Sequence, residues 1–131
     1  MAKFIMIDSS CWIKFFRNSN IEVADKVQYY IEKDSACICG IVELEIMQGI
    51  RSNRQLNLVK DLFSIIKYYD IQRSDFINSG NRIRNLRQEG ITLAPSDVII
   101  AEICIRNSLD LFTLDQDFSF IEELSLKKLL D

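Results

Sequence analysis

The fold is decided by residues 95–118, which read PSDVIIAEICIRNSLDLFTLDQDF. Pro95 and Ser96 are typical of a helix entrance, because proline cannot continue a preceding helix and a serine hydroxyl can accept a hydrogen bond from a free amide of the first turn. After Asp97 the chain is apolar up to Ile105 except for Glu102. A helix that is apolar nearly all round is mostly buried. The stretch therefore predicts a buried helix that begins at Pro95.

A short strand is predicted after this helix, over residues 109–114, and Asp115 and Asp117 follow its end. In an open parallel sheet, ligands bind at the carboxyl ends of the strands. Asp97 lies at the start of the helix and would reach the same edge. We therefore expect three carboxylates to gather at a place suited to binding.

The beginning of the chain has the same arrangement of strand, acid and helix. Residues 3–7 form an apolar run of strand length, and Asp8 follows it. Ser9 and Ser10 can then cap a helix whose aromatic and aliphatic residues recur at helical spacing. Asp8 is thus predicted to lie where a strand gives way to a helix.

The rest of the chain alternates between stretches with helical spacing of apolar residues and short stretches typical of strands. Further helices are predicted over residues 21–32, 41–50, 53–66, 73–89 and around 118–124, and further strands over residues 35–39, 67–71 and 126–130. This alternation, without a linker or repeat, predicts one domain over residues 1–131 with a parallel sheet between helices.

Two glutamates compete for one place in the predicted helix 41–50. Glu43 and Glu45 point about 200° apart on a helix, so only one of them can face Asp8. Apolar neighbours flank both, and periodicity does not choose between them. Gly49 lies one turn after Glu45 and leaves space beside it, which favours Glu45 and leaves Glu43 as the alternative.

The composition is that of an ordinary globular protein, with 131 residues of which 48% are hydrophobic and 27% charged. Its apolar runs are far shorter than the roughly 18 to 20 residues of a membrane span, and the first residues are too few for a signal peptide. Four cysteines without a CxxC pair predict reduced, buried thiols. We expect a cytoplasmic protein with no membrane partner.

Histidine is absent from the sequence, which excludes histidine triads, histidine acid–base pairs and histidine zinc sites. The formal net charge is −3, but residues 51–87 contain eight basic and three acidic side chains. Such a region could hold a phosphate backbone or an acidic partner segment, although solvated helix faces would look the same. The candidate contacts are Arg51, Arg54, Arg82, Arg84 and Arg87.

The carboxylates at the ends of the predicted elements indicate the chemistry. Each alone has an ordinary structural use as a helix cap, a partner of the helix dipole or a turn residue. Crowded together they would raise one another's pKa, and a divalent cation relieves that repulsion. Carboxylate oxygens suit Mg²⁺ or Mn²⁺, and a water acidified by such an ion can attack a phosphodiester without histidine.

These residues resemble the PIN domain, and within it the toxin ribonucleases of VapBC-type toxin–antitoxin pairs. The resemblance covers essentially the whole chain and rests on four motifs in order. They are the strand ending in Asp8-Ser9-Ser10, then Glu45-Ile46-Met47-Gln48-Gly49-Ile50-Arg51, Ser96-Asp97-Val98-Ile99-Ile100-Ala101, and Leu111-Phe112-Thr113-Leu114-Asp115-Gln116-Asp117-Phe118.

The resemblance implies a PIN-like three-layer α/β/α fold with a five-stranded parallel sheet, and a Mg²⁺- or Mn²⁺-dependent endoribonuclease. It also implies an RNA substrate, a cognate antitoxin that blocks the site, and a homodimer or a toxin–antitoxin hetero-oligomer. By position it makes Asp8, Glu45 and Asp97 the acidic triad, Asp115 the fourth acid and Asp117 an auxiliary ligand. The hydroxyls that would orient ligands or waters are Ser9, Ser10 and Thr113.

Other functions share parts of this pattern. A receiver-type phospho-acceptor domain also alternates strands and helices, and Asp70 and Lys127 could serve it, but it needs paired acids after the first strand. A haloacid-type phosphatase needs a second Asp where Ser10 stands. A catalytically inactive PIN-like module that binds RNA or protein is the third alternative, and the retention of all four acidic positions disfavours it.

Overall fold

A parallel sheet forms the centre of the molecule. A computed structural model describes residues 3–129, and within them the sheet has five strands in the order β3-β2-β1-β4-β5, every pair parallel. The strands are β1 (Ile5–Ile7), β2 (Ala36–Cys39), β3 (Lys67–Tyr69), β4 (Asp110–Phe112) and β5 (Ser125–Lys127). The predicted parallel sheet is confirmed.

Helices cover both faces of the sheet. They are α1 (Ser9–Arg17), α2 (Ile21–Glu32), α3 (Gly40–Met47), α4 (Asn53–Ile65), α5 (Arg73–Gln88) and α6 (Pro95–Asn107), followed by a 3₁₀ helix (Gln116–Phe120). The right-handedness of parallel connections puts α1 to α4 on one face and α5 and α6 on the other. On the first face, the ring centroids of Trp12 in α1 and Phe63 in α4 are 5.1 Å apart. The predicted three-layer α/β/α architecture is confirmed.

The three inner strands are buried along their whole length. Strands covered on both faces lose the alternation of polar and apolar residues, which explains the continuous apolar runs around Met6 and Ile38. Helix α6 is also buried on several sides, with Val98, Ile100 and Ile103 fully inaccessible. The prediction of a buried helix after Asp97 is thus confirmed.

The helix entrances differ from the sequence-based expectation. Asp8 and Ala94 occupy the N-cap positions of α1 and α6, so the predicted serine caps are wrong. Pro95 takes the first helical position, where its fixed backbone angle fits and its missing amide is not needed. Ser96 therefore lies inside the first turn. At the other end of the chain, β5 stops at Lys127, and the predicted strand end at residue 130 lies outside the described residues.

The order of the strands creates the crevice in which the candidate site lies. From β1 the chain moves outward to β2 and β3, and then crosses to β4 on the other side of β1. Sheets of this kind bind ligands where the direction of winding reverses, at the carboxyl ends of the strands. Ile7 pairs with Phe112, and the Asp8 amide donates to the Phe112 carbonyl at 2.9 Å, so β1 and β4 end level with each other.

The same order rules out the receiver-type alternative. In that fold β3 lies between β1 and β4, whereas here β1 pairs directly with β4 and β3 is an edge strand. Asp70, which follows β3, is therefore separated from Asp8 by β2.

Among residues 3–129, no helix is both long enough and apolar enough to cross a membrane.

Candidate active site

Asp8 lies at the centre of the candidate site, directly after β1. Its side chain is buried, with 5% of the residue exposed. Two hydroxyls donate to the same oxygen, Oδ2: Thr113 Oγ1 at 2.7 Å and Ser10 Oγ at 3.0 Å. Hydrogen bonds to an ionised carboxylate are strong, so these two contacts hold the group in one orientation. Within residues 3–129, hydrogen bonds to the other oxygen, Oδ1, are not observed.

The segment after β4 is attached to Asp8 through the same two hydroxyls. Thr113 Oγ1 accepts a hydrogen bond from the Asp115 amide at 3.0 Å, and Ser10 Oγ accepts one from the Leu114 amide at 3.2 Å. Asp115 Oδ1 in turn accepts from the Asp117 amide at 2.9 Å, which closes a turn at the start of the 3₁₀ helix. The geometry of Asp8 and Asp115 is thus coupled through Thr113.

Helix α3 presents Glu45 to the site and turns Glu43 away from it. Ser9 Oγ donates to Glu45 Oε1 at 3.3 Å. Burial raises the pKa of Glu45, the charge of Asp8 raises it further, and the hydrogen bond from Ser9 lowers it. Glu43 acts instead on Tyr68 of β3, whose pKa is raised by burial and by the charge of Glu43. The structure therefore brings Glu45, as favoured from the sequence, next to Asp8.

Asp97, in the first turn of α6, shows how strongly negative the site is. Its pKa is raised from 3.8 to about 6, first by burial and then by the charges of the other four acids, which are Asp8, Asp115, Glu45 and Asp117. Within residues 3–129, the charges that shift its pKa are all negative. The five acids predicted from the sequence lie on four separate segments, and the charges of four of them act on the fifth, Asp97, at one edge of the sheet.

This donor set suits a hard divalent cation in its chemistry, because all its ligands are oxygens and its charge is uncompensated. Among residues 3–129, however, no three Asp, Glu or Cys side chains converge closely enough to surround an ion as they stand. Mg²⁺ is usually held by only one or two carboxylates and keeps several waters, so its chemistry does not require three converging acids.

The thiols do not take part in this chemistry. Cys11, Cys37, Cys39 and Cys104 are all buried and unpaired, as predicted. Burial raises the pKa of the Cys11 thiol to about 12, and the charge of Asp8 contributes to the rise. A neutral buried thiol is a poor nucleophile and a poor metal ligand. Because the sequence contains no histidine and the thiols are buried, the groups that remain for this chemistry are carboxylates and hydroxyls.

The predicted basic contacts occupy different surfaces. Arg51 lines a groove beside Glu45, and Arg54 is exposed on α4. Arg84 and Arg87 are exposed on α5, where Arg84 contacts the Asn81 side chain at 3.3 Å. Arg82 instead forms ion pairs with Glu102 and Glu123. Its guanidinium links α5, α6 and the segment before β5.

The groove beside Glu45 is lined by a basic side chain, Arg17, that was not predicted from the sequence. It has a volume of about 430 Å³, lies between α1, α3 and α4, and is lined by apolar side chains together with Arg17, Arg51 and Gln55. The apolar part of the lining consists of Ile13, Phe16, Ile46, Ile50, Leu58 and Val59. Arg17 ends the helix that follows Asp8, and this position is the signal that could have identified it.

Comparison with known protein families and sequences gives one consistent result. The family model described as the PIN domain matches residues 5–124. The chain is 25% identical over 125 residues to a protein of Mycobacterium bovis named VapC ribonuclease Mb1587, an alignment that covers 92% of this chain and 93% of the relative.

Solved structures share the fold over nearly the whole length of the chain. The structure of DNA-bound VapBC from Salmonella typhimurium matches with a TM-score of 0.81 and 20% identity, covering 98% of this chain and 99% of that one. VapBC2 from Rickettsia felis, bound to a DNA fragment from its promoter, matches with a TM-score of 0.79 and 16% identity, covering 95% and 97%. At such identities the likeness establishes the arrangement of strands and helices.

Proposed function

Because the chain belongs to the PIN-domain family, we propose that it is a metal-dependent endoribonuclease and the toxin of a VapBC-like toxin–antitoxin pair. The relative named VapC ribonuclease and the matched VapBC structures support this assignment. Within the chain, the observation that carries it is the Asp97 carboxyl, whose pKa is raised by burial and by four neighbouring carboxylates. A pocket that gathers negative charge without a matching cation suits a metal ion better than it suits RNA alone.

In this proposal Asp8, Glu45, Asp97 and Asp115 hold Mg²⁺ or Mn²⁺, and Asp117 is an auxiliary ligand. When bound, such an ion supplies an acidified water and offsets the negative charge on the phosphate oxygens. Overall, the elements of water are added across one P–O bond, so that one product keeps the phosphate and the other gains a hydroxyl.

The residues around the acids prepare them for this role. Thr113 and Ser10 hold Asp8 through Oδ2, which leaves Oδ1 available to an ion. Ser9 orients Glu45 in the same way. Asp97 carries a proton in part of the molecules near pH 6 and gives it up when positive charge enters the site. The loss of a ligand-orienting contact of this kind typically lowers metal affinity or activity by about 10- to 100-fold.

The RNA substrate is proposed to approach along the basic side chains nearest the acids. Arg51 and Arg17 line the same groove as Glu45. Arg54 is exposed in the first turn of α4, next in sequence to Gln55, which also lines the groove. Phosphate contacts fix the position of the backbone without reading its sequence. Arg84 and Arg87 lie on α5 and serve either RNA or an acidic segment of a partner, whereas the ion pairs of Arg82 indicate a structural role.

The cognate antitoxin is proposed to occupy the groove between α1, α3 and α4. Its apolar lining suits aliphatic side chains, and Arg17 and Arg51 suit acidic ones. A segment bound there would cover Glu45 and block the site. A short reading frame beside this gene that encodes a DNA-binding domain with a tail would support the pairing.

We also propose that residues 1–131 act as one domain, and that the chain forms a homodimer or a hetero-oligomer with the antitoxin. The proposed location is the cytoplasm, where unpaired cysteines stay reduced.

The decisive experiment compares two glutamates of the same helix. Purified wild type, Glu45→Gln and Glu43→Gln are incubated with a mixed single-stranded RNA in Mg²⁺ or Mn²⁺, with and without EDTA. We expect EDTA to abolish cleavage, and Glu45→Gln to lower the rate by about 100-fold or more, while Glu43→Gln stays near the wild-type rate. Cleavage that survives both EDTA and Glu45→Gln would rule out the mechanism.

The inactive alternative predicts a different result in the same assay. A module that only binds RNA would shift the mobility of the RNA in Mn²⁺ without shortening it, in wild type and both variants alike. Wild-type protein that produces new RNA ends, and Glu45→Gln protein that binds RNA without producing them, would exclude this alternative.

A further inference from the structure

A second groove lies on the other helical layer, between α5, α6 and the segment that follows the 3₁₀ helix. Its volume is about 540 Å³, which is within the usual range for binding clefts. Its lining includes Asn78, Asn81 and Asn85 of α5, together with Phe120 and Glu122 from the end of the 3₁₀ helix and the segment after it. We refer to it below as the asparagine groove. Its lining residues differ from those of the carboxylate site.

The three asparagines form a row along one face of α5. They are spaced three and four residues apart, which places them on the same side of a helix. Asparagine is a poor residue for a helix interior, so the row is not explained by the stability of α5 itself. Among residues 3–129, hydrogen bonds to the Asn78 and Asn85 side chains are not observed, and Asn81 receives one from Arg84. Two of the three amides are therefore exposed and open to solvent or to a ligand.

An asparagine amide offers one carbonyl oxygen and two N–H donors, the same pair of functions as a peptide bond. Asn81 and Asn85 are about 6 Å apart along the helix axis. An extended chain advances about 6.6 Å in two residues. The row therefore offers amide groups along α5 at intervals of about 4.5 and 6 Å, so that an extended segment laid along the helix can meet more than one of them.

The charge of the groove favours a positively charged segment. Glu89, Glu102, Glu122 and Glu123 line it, against the single guanidinium of Arg82. Arg82 is already paired with Glu102 and Glu123. Within residues 3–129, ion pairs to Glu89 and Glu122 are not observed. Phe120, 49% exposed, adds an aromatic face on which a cationic side chain can rest.

We propose that the asparagine groove binds an extended segment of a partner protein that carries lysine or arginine side chains. The asparagines hold its peptide groups, Glu89 and Glu122 pair with its cations, and Phe120 packs against their stems. Nucleic acid is disfavoured because its phosphates would meet an excess of carboxylates. The proposal goes beyond the proposed nuclease function and does not depend on it.

The test uses a fluorescein-labelled octapeptide of alternating lysine and alanine, and its affinity is measured by fluorescence anisotropy with the full chain. The double variants Asn78→Ala/Asn85→Ala and Glu89→Gln/Glu122→Gln are each expected to weaken binding by about tenfold or more. The matched controls are Asn57→Ala on α4 and Glu22→Gln on α2, both exposed, and these are expected to bind as wild type does. Circular dichroism verifies that each variant is folded.

Three further arms separate this site from general attraction of cations. A peptide with glutamate in place of lysine is expected not to bind, and spermidine, a cation without peptide groups, is expected to compete only weakly. The Asp97→Asn variant is expected to keep the wild-type affinity. Binding that is lost in Asp97→Asn, or that is unaffected by both groove variants, would place the peptide elsewhere and overturn the proposal. Asparagine variants that bind as wild type would overturn the role of the row.

Discussion

Replacing Asp97 by asparagine should stabilise the metal-free protein at pH 7. The pKa of Asp97 is raised in the folded chain from 3.8 to about 6, so the folded state binds this proton more tightly than the unfolded state. The contribution of this group to stability is therefore fully present below about pH 4 and is lost as the pH rises through about 6. Asparagine has a similar shape and carries no charge at any pH.

The expected size follows from the same numbers. The difference between 3.8 and about 6 corresponds to ~3 kcal/mol as an upper limit. Asp97 is partly exposed, and solvent screens its repulsion, so we expect a gain of ~1–2 kcal/mol at pH 7. For a chain of this length the gain corresponds to a rise in Tm of roughly 3–8 °C. The advantage should shrink to about a third near pH 4.5, where wild-type Asp97 is mostly protonated when folded.

Urea unfolding followed by circular dichroism, in EDTA at both pH values, measures the effect. The difference between wild type and Asp97→Asn isolates this one group from the other acids. The control is Asp61→Asn, an exposed acid on α4, which should change the free energy of unfolding by less than ~0.5 kcal/mol. Added Mn²⁺ should stabilise wild type more than Asp97→Asn, because the ion binds the folded state through this carboxylate. A variant that is no more stable than wild type at pH 7, or whose advantage is the same at both pH values, would refute the reasoning.

Two further predictions concern the hydrogen bonds around the site and the core. Thr113→Val removes the 2.7 Å hydrogen bond to Asp8 and the acceptor of the Asp115 amide, and should lower the rate of RNA cleavage by about 10- to 100-fold. Thr113→Ser keeps the hydroxyl and should restore most of the rate. Equal rates in both variants would exclude the orienting role. Asp75→Asn should lower the free energy of unfolding by ~3 kcal/mol at pH 7, because it breaks a buried ion pair with Arg106. Burial opposes the ionisation of Asp75, but the bonds from Arg106 outweigh it and lower the pKa, so this loss should diminish as the pH falls; a loss that is independent of pH would contradict it.

Local patterns predicted the helices and strands well, and erred at their ends. Hydrophobic periodicity depends on neighbours a few residues apart, and it identified α2, α4 and α5 to within a residue. The N-caps of α1 and α6 were missed, because whether a serine caps a helix depends on how the preceding strand or loop enters it. Ser9 and Ser10 hydrogen-bond to the side chains of Glu45 and Asp8 instead.

The sequence by itself determined which acids follow strands or begin helices, and therefore that Asp8, Asp97 and Asp115 could meet at one edge of a parallel sheet. Only the tertiary structure decided that Glu45 rather than Glu43 joins them, that Thr113 donates to Asp8 across 105 positions of sequence, and that burial and mutual repulsion raise the pKa of Asp97. The physical reason is that element positions follow from local periodicity. Hydrogen-bond partners and electrostatic fields depend instead on distances between segments far apart in the chain, and these distances exist only once the sheet and its helices have packed.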